Sequence, residues 1–408
     1  MVLLAHPTGN TFVRESAIAL HEATILAEFH TAISPCGNNF FSKIARLPGF
    51  QELRRRELPA FIEKKLRLHP THELGRLIAS RAGLEFATKH EQGFFSVDAV
   101  YKSFDKSVSR HLVNVICKSV YCYEDGALET FRAARSKRLT RIYDLPIAHW
   151  TTVRRLMEEE ADRLPDWACT MQGLSDSESK LCRKDEELEL ADVIICPSFF
   201  VRDSLPAHIL LKKRVEVVPF GSPAVSESVP ENRAIGPLRV LFAGSMTQRK
   251  GLADLFSAIK MLDSNRFELH VLGTPIASMS FYKSQLPNFI HHHPRANAQV
   301  LNLMRSCDVF ILPSIVEGRA LVQQEAMSCG LPIIVTRNAG GEDLVEDGKA
   351  GFLVPIRNPS AIAEKLELLF KNRNILAEMG KAAQLKAQML SWANYRERIV
   401  EIVKSIHS

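Results

Sequence analysis

No apolar run in this sequence of 408 residues approaches the length that crosses a lipid bilayer. The N-terminus, Met1 to Pro7, has no basic region, and its apolar stretch is too short for a secretory signal peptide. We therefore expect a cytoplasmic protein, and any contact with a membrane would be peripheral, at the inner face.

Other absences argue against whole classes of protein. The eight cysteines are scattered, without a Cys-x-x-Cys pair or a zinc-like cluster, which is typical of reduced and mostly buried thiols. Neither half of the chain has a Gly-x-Gly-x-x-Gly after its first strand, so a dinucleotide dehydrogenase is disfavoured. The net charge of +6 permits anionic ligands but does not indicate a nucleic-acid partner.

The sequence does contain a sustained alternation of strand and helix patterns. The chain is too long for one hydrophobic core, so two domains are expected. Such an alternation predicts an α/β protein with parallel sheets covered on both faces. We place the first domain at 1–220, a linker at 221–237 and the second domain at 238–385. Ligands of such sheets bind at the carboxyl ends of strands, which predicts a site in the cleft between the domains.

Two carboxylates, Glu317 and Glu325, bracket the most informative segment. It follows the apolar run Val309 to Leu312 and leads into a helix predicted over Arg319 to Ser328. A strand, a turn and a helix N-terminus form an anion site, because unpaired N–H groups and the helix dipole point there. The N–H groups that would bind oxygens belong to Gly318, Arg319, Ala320 and Leu321. One carboxylate would face a ribose and the other a transferred group, which favours a nucleotide sugar as ligand.

A second anion-binding loop is predicted directly after the strand that ends at Ala243. Gly244 allows a sharp exit from the strand, Ser245 follows, and Gly251 starts the next helix. Arg249 and Lys250 are thereby held over the end of the sheet. Two cations on a constrained loop suit a diphosphate, whose developing charge they would stabilise during bond cleavage.

Further candidates lie at other predicted strand ends. Gly9 and Asn10 would contact the donor or the acceptor, with a plain turn as the alternative. An apolar strand predicted over Val113 to Val120 is followed by possible acceptor contacts. Those contacts are Tyr123, Glu124 and Asp125.

Three consecutive histidines, His291 to His293, precede Pro294 and Arg295. Side chains alternate along a strand, so these three rings cannot face one metal ion, and we expect no metal site there. The Pro294–Arg295 pair is a candidate contact for the nucleotide.

The segment 43–89 has an excess of Lys and Arg. It also carries Leu53, Leu58, Phe61, Ile62 and Leu66 at roughly helical spacing. This pattern is consistent with a basic amphipathic helix that contacts a membrane or a lipid-linked acceptor. The alternative is a helix face exposed to solvent.

Taken together, several motifs resemble those of family 4 glycosyltransferases with the GT-B fold. They are Ala191 to Ser198, Val217 to Gly221, Gly244 to Gly251, Asp308 to Glu325, Cys329 to Pro332, Glu342 and Gly348 to Pro355. The resemblance is dense in the second half and loose in the first.

The resemblance implies two Rossmann-like lobes facing across a cleft and a nucleotide-diphosphate sugar in the C-terminal lobe. It also implies retention of anomeric configuration without a bound metal or other cofactor. It places Glu325 on the ribose, Glu317 near the donor sugar and Lys250 on the diphosphate. The last helix, 386–408, would cross back onto the first lobe.

The chain departs from the family pattern at two places. Ser245 stands where the family often has Arg, so Arg249 is the candidate for the missing cation. The family often has a His at the end of a first-lobe strand, where this chain has Tyr143 or Asp144, with His149 shortly after. Which of the three approaches the sugar, or whether Tyr143 contacts an acceptor, stays open.

The sequence thus predicts a retaining hexosyltransferase that uses a UDP- or GDP-sugar. Its acceptor would be a glycan or a lipid-linked molecule in polysaccharide or glycoconjugate biosynthesis. The alternatives are a nucleotide-sugar epimerase on the same fold and a two-lobed binding protein without catalysis.

Overall fold

A computed structural model describes residues 1–46, 50–171, 175–225 and 236–407. Over these ranges the chain forms two parallel β-sheets, one of seven strands and one of six. The α/β class predicted from the sequence is confirmed. Helices cover both faces of each sheet.

The first sheet has the strand order β3-β2-β1-β4-β5-β6-β7. Its inner strands are short and mostly buried, as expected for parallel strands that are covered on both faces. The strands are β1 Val2–Ala5, β2 Leu26–Thr31, β3 Leu66–Leu68, β4 Ser119–Tyr123, β5 Thr140–Asp144, β6 Val193–Cys196 and β7 Arg214–Val217.

The second sheet has the order β10-β9-β8-β11-β12-β13. Its core is continuous, and every residue of β11 and β12 is buried. The strands are β8 Leu238–Ala243, β9 Phe267–Leu272, β10 Ile290–His292, β11 Val309–Leu312, β12 Ile333–Val335 and β13 Gly351–Leu353.

Within each sheet, α-helices connect most successive strands, as parallel pairing requires, whereas β12 and β13 are joined through two short 3-10 helices, Arg337–Ala339 and Gly341–Asp343. In the first part of the chain they are α1 Thr11–Glu22, α2 Phe40–Ile44, α3 Thr71–Arg81, α4 Glu85–Thr88, α5 Val97–His111, α6 Leu128–Ser136, α7 Trp150–Arg163, α8 Glu178–Leu190, α9 Phe199–Asp203 and α10 Ala207–Lys212. In the second part they are α11 Leu252–Lys260, α12 Met279–Gln285, α13 Asn297–Arg305, α14 Leu321–Ser328, α15 Pro359–Lys371, α16 Arg373–Met389 and α17 Trp392–His407. Over the described residues, no helix has both the length and the apolar character that crossing a bilayer requires.

Two segments cross from one domain to the other. Each packs in the domain opposite to the one formed by the residues next to it in sequence. The segment 160–171 follows β5 of the first sheet in sequence, yet Trp167 and Met171 belong to the hydrophobic core of the second domain. Helix α17 follows the second domain but packs on α1, where Tyr395 and Ser16 share a hydrogen bond of 2.9 Å. The part of 1–220 around Trp167 and Met171 thus packs in the second domain, whereas the start of α7 stays with the first, where Trp150 Nε1 donates to Asp185 Oδ1 at 2.6 Å.

Several local predictions also need correction. The strand expected over Val113 to Val120 begins only at Ser119, because Val113 and Ile116 are exposed and precede it in a 3-10 turn and an extended link. Helix α14 starts at Leu321 rather than Arg319, and the final helix starts at Trp392 rather than at residue 386. Most of the linker expected at 221–237 lies outside the described residues.

Among the described residues, no α-helix carries Leu53, Leu58, Phe61, Ile62 and Leu66 as considered for 43–89, since the first α-helix after residue 50 is α3, which begins at Thr71. Two 3-10 helices, Gln51–Arg56 and Ala60–Lys65, lie there instead. Leu53, Leu58 and Ile62 are buried in the first domain, so they pack inward.

Candidate active site

Arg249, Lys250 and Glu317 form one ion cluster at the carboxyl edge of the second sheet. Arg249 Nη1 lies 3.0 Å from Glu317 Oε2, and Lys250 Nζ is hydrogen-bonded to the same oxygen. Arg249 Nη1 also donates to the carbonyl oxygen of Val316 at 3.2 Å. The two cations and the first acid that the sequence analysis selected are therefore brought together.

The backbone fixes the two loops that carry this cluster. The N–H of Ile315 donates to the carbonyl oxygen of Arg249 at 2.9 Å. Gly251 has a left-handed φ of 75°, and a Cβ atom there would overlap the carbonyl oxygen of Pro313. A glycine is required at this position both for the turn and for the close approach of the loops.

The charges in the cluster are strongly coupled. Burial disfavours the charged form of Glu317, but the positive charges of Lys250 and Arg249 outweigh it and lower the pKa of Glu317 to about 2. Burial lowers the pKa of Lys250, and Glu317 opposes that shift. With both basic groups charged, two cations and one carboxylate leave a net positive site at the end of the sheet.

Glu325 lies on α14, the helix that Glu317 precedes. It is the fifth residue of this helix, so it lies about 6 Å along the axis from Leu321. Its Oε1 accepts a hydrogen bond of 2.8 Å from Asn297 Nδ2 at the start of α13, and burial raises its pKa. Pro294 and Arg295 lie just before Asn297, so these candidates lie on the β10–α13 link that reaches Glu325.

Arg295 is held by the histidines before it. Its Nη2 lies 3.2 Å from His292 Nδ1, and its Nε donates to the carbonyl oxygen of His293 at 3.4 Å. Pro294 is exposed. Both residues are accessible for contact with a bound nucleotide.

The start of α14 is the predicted anion site, but the Arg319 side chain is turned away from it. Arg319 Nη2 lies 2.6 Å from Asp343 Oδ2, and its Nε donates to the carbonyl oxygen of Pro197 at 2.7 Å. Arg319 and Ala320 are buried, whereas Leu321 is half-buried. Only backbone groups of Arg319 are thus available to an anion at the first turn.

The same turn lies at the contact between the two domains, which we call the domain seam. A Cβ atom on Gly318 would overlap the carbonyl oxygen of Pro146 in the loop after β5. Ser198 Oγ, at the start of α9, donates to the carbonyl oxygen of Gly318 at 2.8 Å. The first domain therefore meets the second at the turn that follows Glu317.

Asp144 ends strand β5 and is buried among tyrosines. The Tyr121 hydroxyl donates to Asp144 Oδ2 at 2.7 Å. Burial raises the pKa of Asp144 to about 7, although the Tyr121 hydrogen bond opposes the shift. This carboxyl is therefore partly protonated near neutral pH.

His149 is the N-cap of α7 and is buried. Its Nδ1 lies 2.8 Å from Thr151 Oγ1, and its Nε2 lies 3.2 Å from Asp185 Oδ1. Burial lowers the pKa of His149, and Asp185 opposes the shift. Both ring nitrogens are engaged within the protein, and Nδ1 also accepts from the N–H of Thr151 at 3.4 Å, which caps the start of α7.

The four predicted acceptor contacts are mostly used inside the first domain. Tyr143 is buried and its hydroxyl donates to Glu187 at 3.2 Å, so its proposed place in the cleft is wrong. Tyr123 is also buried. Glu124 Oε1 lies 3.3 Å from Lys184 Nζ, and Asp125 Oδ1 lies 3.0 Å from Arg183 Nη2.

The remaining candidates lie on loops at strand ends. Asn10 is exposed and makes no side-chain cap bond to α1, and Gly9 has a φ of 61°. The N–H groups of Thr8 and Gly9 donate to His6 Nδ1 at 3.0 and 3.1 Å, so His6 shapes this loop. In the second domain, Gly244 adjoins the Lys250 side chain and Ser245 is exposed.

Gln248, which no sequence motif singled out, braces the cationic loop. Gln248, fully buried, donates its side-chain amide to Glu160 and to Asp254, both at 2.8 Å. Its Oε1 accepts from the N–H of Ala253 at 2.9 Å. The only sequence signal was a polar residue directly before Arg249, which does not reveal a partner on α7.

Comparison with known proteins is consistent with this site. Residues 225–386, which contain both cations and both acids, match the family model for glycosyl transferases, group 1. D-inositol 3-phosphate glycosyltransferase of Arthrobacter sp. (strain FB24) is 32% identical over 168 residues, 38% of this chain and 40% of that protein. An uncharacterized glycosyltransferase of Methanocaldococcus jannaschii is 29% identical over 211 residues, 50% of this chain and 56% of that protein. The chain thus spans about half the length of the curated relatives it matches.

Solved structures match over the whole chain. Sucrose-phosphate synthase from Thermosynechococcus elongatus has a TM-score of 0.69 at 14% identity, covering 100% of this chain and 98% of that one. HepE from Anabaena, in complex with UDP-glucose, has a TM-score of 0.64 at 15% identity, covering 99% of both chains. The chain has the GT-B fold, with two Rossmann-like domains.

Proposed function

We propose that this protein is a glycosyltransferase that moves a hexose from a UDP- or GDP-sugar to a glycan or lipid-linked acceptor. The transfer retains the anomeric configuration and needs no bound metal. The observation that carries the proposal is that Arg249 and Lys250 of the β8–α11 loop contact Glu317 of the loop that leads into α14, the helix that carries Glu325. The match to group 1 glycosyltransferases over this range and the UDP-glucose complex of HepE support it.

In this proposal the cluster binds the leaving diphosphate. Glu317 stays ionised and orients Lys250 and Arg249 before the donor binds. A diphosphate carries more negative charge than one carboxylate, so it competes for both cations and brings them to the leaving group. The N–H groups at the start of α14 add further donors.

Glu325 is the proposed contact for the ribose hydroxyls. Its carboxylate accepts a hydrogen bond from Asn297, a neutral donor. It can therefore accept a further hydrogen bond from a ribose hydroxyl. The acceptor hydroxyl attacks on the face from which the diphosphate departs, and its proton passes to that leaving group. No protein nucleophile is required.

The experiment is a thermal-shift screen of the purified chain against UDP-, GDP-, ADP- and TDP-sugars, followed by transfer assays. Lys250→Ala should abolish transfer, and Glu325→Ala should weaken nucleotide binding. Lys260→Ala, on the exposed end of α11, is the matched control. Wild-type turnover by Lys250→Ala contradicts the proposal. An isomerised sugar formed without acceptor would instead identify an epimerase.

We further propose that the protein is cytoplasmic and contacts the inner face of the membrane through the segment 43–89. The eight unpaired cysteines fit a reducing compartment. Arg54, Arg55 and Lys64 are exposed close in sequence to Phe61, whose ring is half-exposed. Sedimentation with anionic vesicles tests this contact. Equal sedimentation of the wild type and an Arg54→Ala/Arg55→Ala/Lys64→Ala variant excludes it.

A further inference from the structure

A cluster of imidazole and carboxylate groups lies in the first domain, on the face of the sheet that α5 covers. Glu28 and His30 project from alternate positions of β2, and His111 is the last residue of α5. Glu28 Oε2 lies 3.0 Å from His30 Nε2 and 2.9 Å from His111 Nε2. The donor atoms of these three residues all lie within 4.8 Å of one another.

The surrounding residues hold two of these groups in an orientation that suits a metal ligand. His30 Nδ1 lies 2.9 Å from His69 Nε2, so the ring nitrogen that points away from the cluster is already bonded. Arg67 Nη2 lies 2.8 Å from Glu28 Oε1 and leaves Oε2 directed at the imidazoles. Ligating histidines and carboxylates in metal sites are held by such outer partners.

The dimensions are close to those of a tetrahedral site. Bonds of about 2.0–2.1 Å to a zinc ion place neighbouring donor atoms about 3.3 Å apart. The two pairs that Glu28 Oε2 forms, with His30 Nε2 and with His111 Nε2, are a few tenths of an ångström shorter, and small rotations of the Glu28 and His111 side chains relieve this. His30 is fully buried, whereas His111 is about one-third exposed (35%), so an ion would enter from the His111 side.

The second domain offers a built-in comparison. His270 of β9 is bonded to His292 at 2.9 Å and to Glu268 at 2.7 Å, in the same arrangement as His30 with His69 and Glu28. Among the described residues, no further histidine, cysteine or acid completes that group as His111 does in the first domain. Each domain therefore has its own stacked histidine pair with a neighbouring glutamate. Among the described residues, only the first domain adds a further ligand, His111.

We propose that Glu28, His30 and His111 bind one divalent transition-metal ion, such as Zn²⁺ or Co²⁺, that fastens β2 to the end of α5. Two imidazoles and one carboxylate are a common ligand set for such ions, and water would complete the coordination. The ion is structural and lies outside the donor site, so the metal-independent transfer proposed above is unaffected.

The test is titration of the full-length protein with Co²⁺ after dialysis against EDTA. We expect one ion per chain, a visible d–d absorption band and a rise in melting temperature. His111→Gln, which changes a partly exposed ring, should lower Co²⁺ affinity by about 100-fold or more, because losing a ligand costs at least as much as losing an outer partner. Glu28→Gln should have the same effect.

Matched controls separate this site from other histidines. His270→Gln removes the corresponding ring of the second domain, and His208→Gln removes an exposed ring that contacts Glu189; both should keep wild-type affinity. A wild-type chain that binds no ion overturns the proposal. So does binding that survives His111→Gln but is lost in a His291→Gln/His293→Gln variant.

Discussion

Gln248 of the cationic loop donates its side-chain amide to Glu160 of α7 at 2.8 Å, a contact between residues 88 positions apart. The same amide reaches Asp254, and Arg163 lies 2.9 Å from that carboxylate. Since the backbone of Gln248 leads directly into Arg249 and Lys250, this buried network sets the position of both cations.

The first prediction concerns this brace. Gln248→Ala leaves two buried carboxylates with one donor fewer, which should cost about 1–3 kcal/mol of folding free energy. It should also reduce kcat/KM of the proposed transfer, because the cations lose their support. Urea unfolding and transfer assays measure the two effects. Gln388→Ala, an exposed glutamine on α16, should change neither.

The second prediction concerns the loss of folding stability at acid pH to which Glu317 contributes. Its folded-state pKa of about 2 lies below the ordinary value of 4.5, so the ion cluster stabilises the fold above about pH 4.5. That contribution, about 3 kcal/mol at most, is lost as the pH falls towards 2. Glu317→Gln should therefore show a shallower loss of stability between pH 5 and pH 3 in urea titrations. An unchanged slope relative to wild type would exclude the coupling, and Glu364→Gln on α15 serves as the control.

The third prediction concerns Asp144, whose titration lowers the folding stability as the pH rises rather than as it falls. The folded protein keeps a proton on Asp144 up to about pH 7, whereas the unfolded chain releases it near pH 4. Stability should therefore fall relative to Asp144→Asn as the pH rises between these values, by about 4 kcal/mol at most. Chemical unfolding of both proteins from pH 4 to pH 8 measures the difference. A constant difference would show that Asp144 does not titrate in this range.

The fourth prediction concerns the clamp at the domain seam. Arg319 is buried and binds Asp343 and the Pro197 carbonyl, so Arg319→Ala leaves a buried carboxylate unpaired and should cost about 3–5 kcal/mol. Arg337 also bridges the domains, through Asp203 and Glu342, but it is exposed. Arg337→Ala should therefore cost about 1 kcal/mol or less. Equal losses in the two variants, by calorimetry, would contradict a buried clamp.

Much of the second domain was predictable because its strands and loops are local features. The apolar runs predict β8 and β11 from the sequence. The glycines of the cationic loop predict its turns. Contacts between distant segments leave no such signal. Neither the Gln248–Glu160 bond nor the Arg319–Asp343 pair can be inferred from spacing along the chain.

The first domain was harder to predict because side-chain direction depends on packing. Tyr143 and Asp144 are neighbours on β5, yet they point to opposite faces of the sheet, and the sequence left both as candidates for the cleft. Val113 and Ile116 have the composition of a buried strand but are exposed. Apolar composition alone did not set where β4 begins.

The packing of 160–171 in the second domain and of α17 on the first limits how segments of this chain can be combined with those of a related protein. A chimera spliced at the linker would pair one parent's Trp167 with the other parent's core, and one parent's Tyr395 with the other parent's α1. A workable graft of the second domain has to carry 160–171 with it and leave α17 behind. Each domain of this fold is therefore built from segments that are not contiguous in sequence.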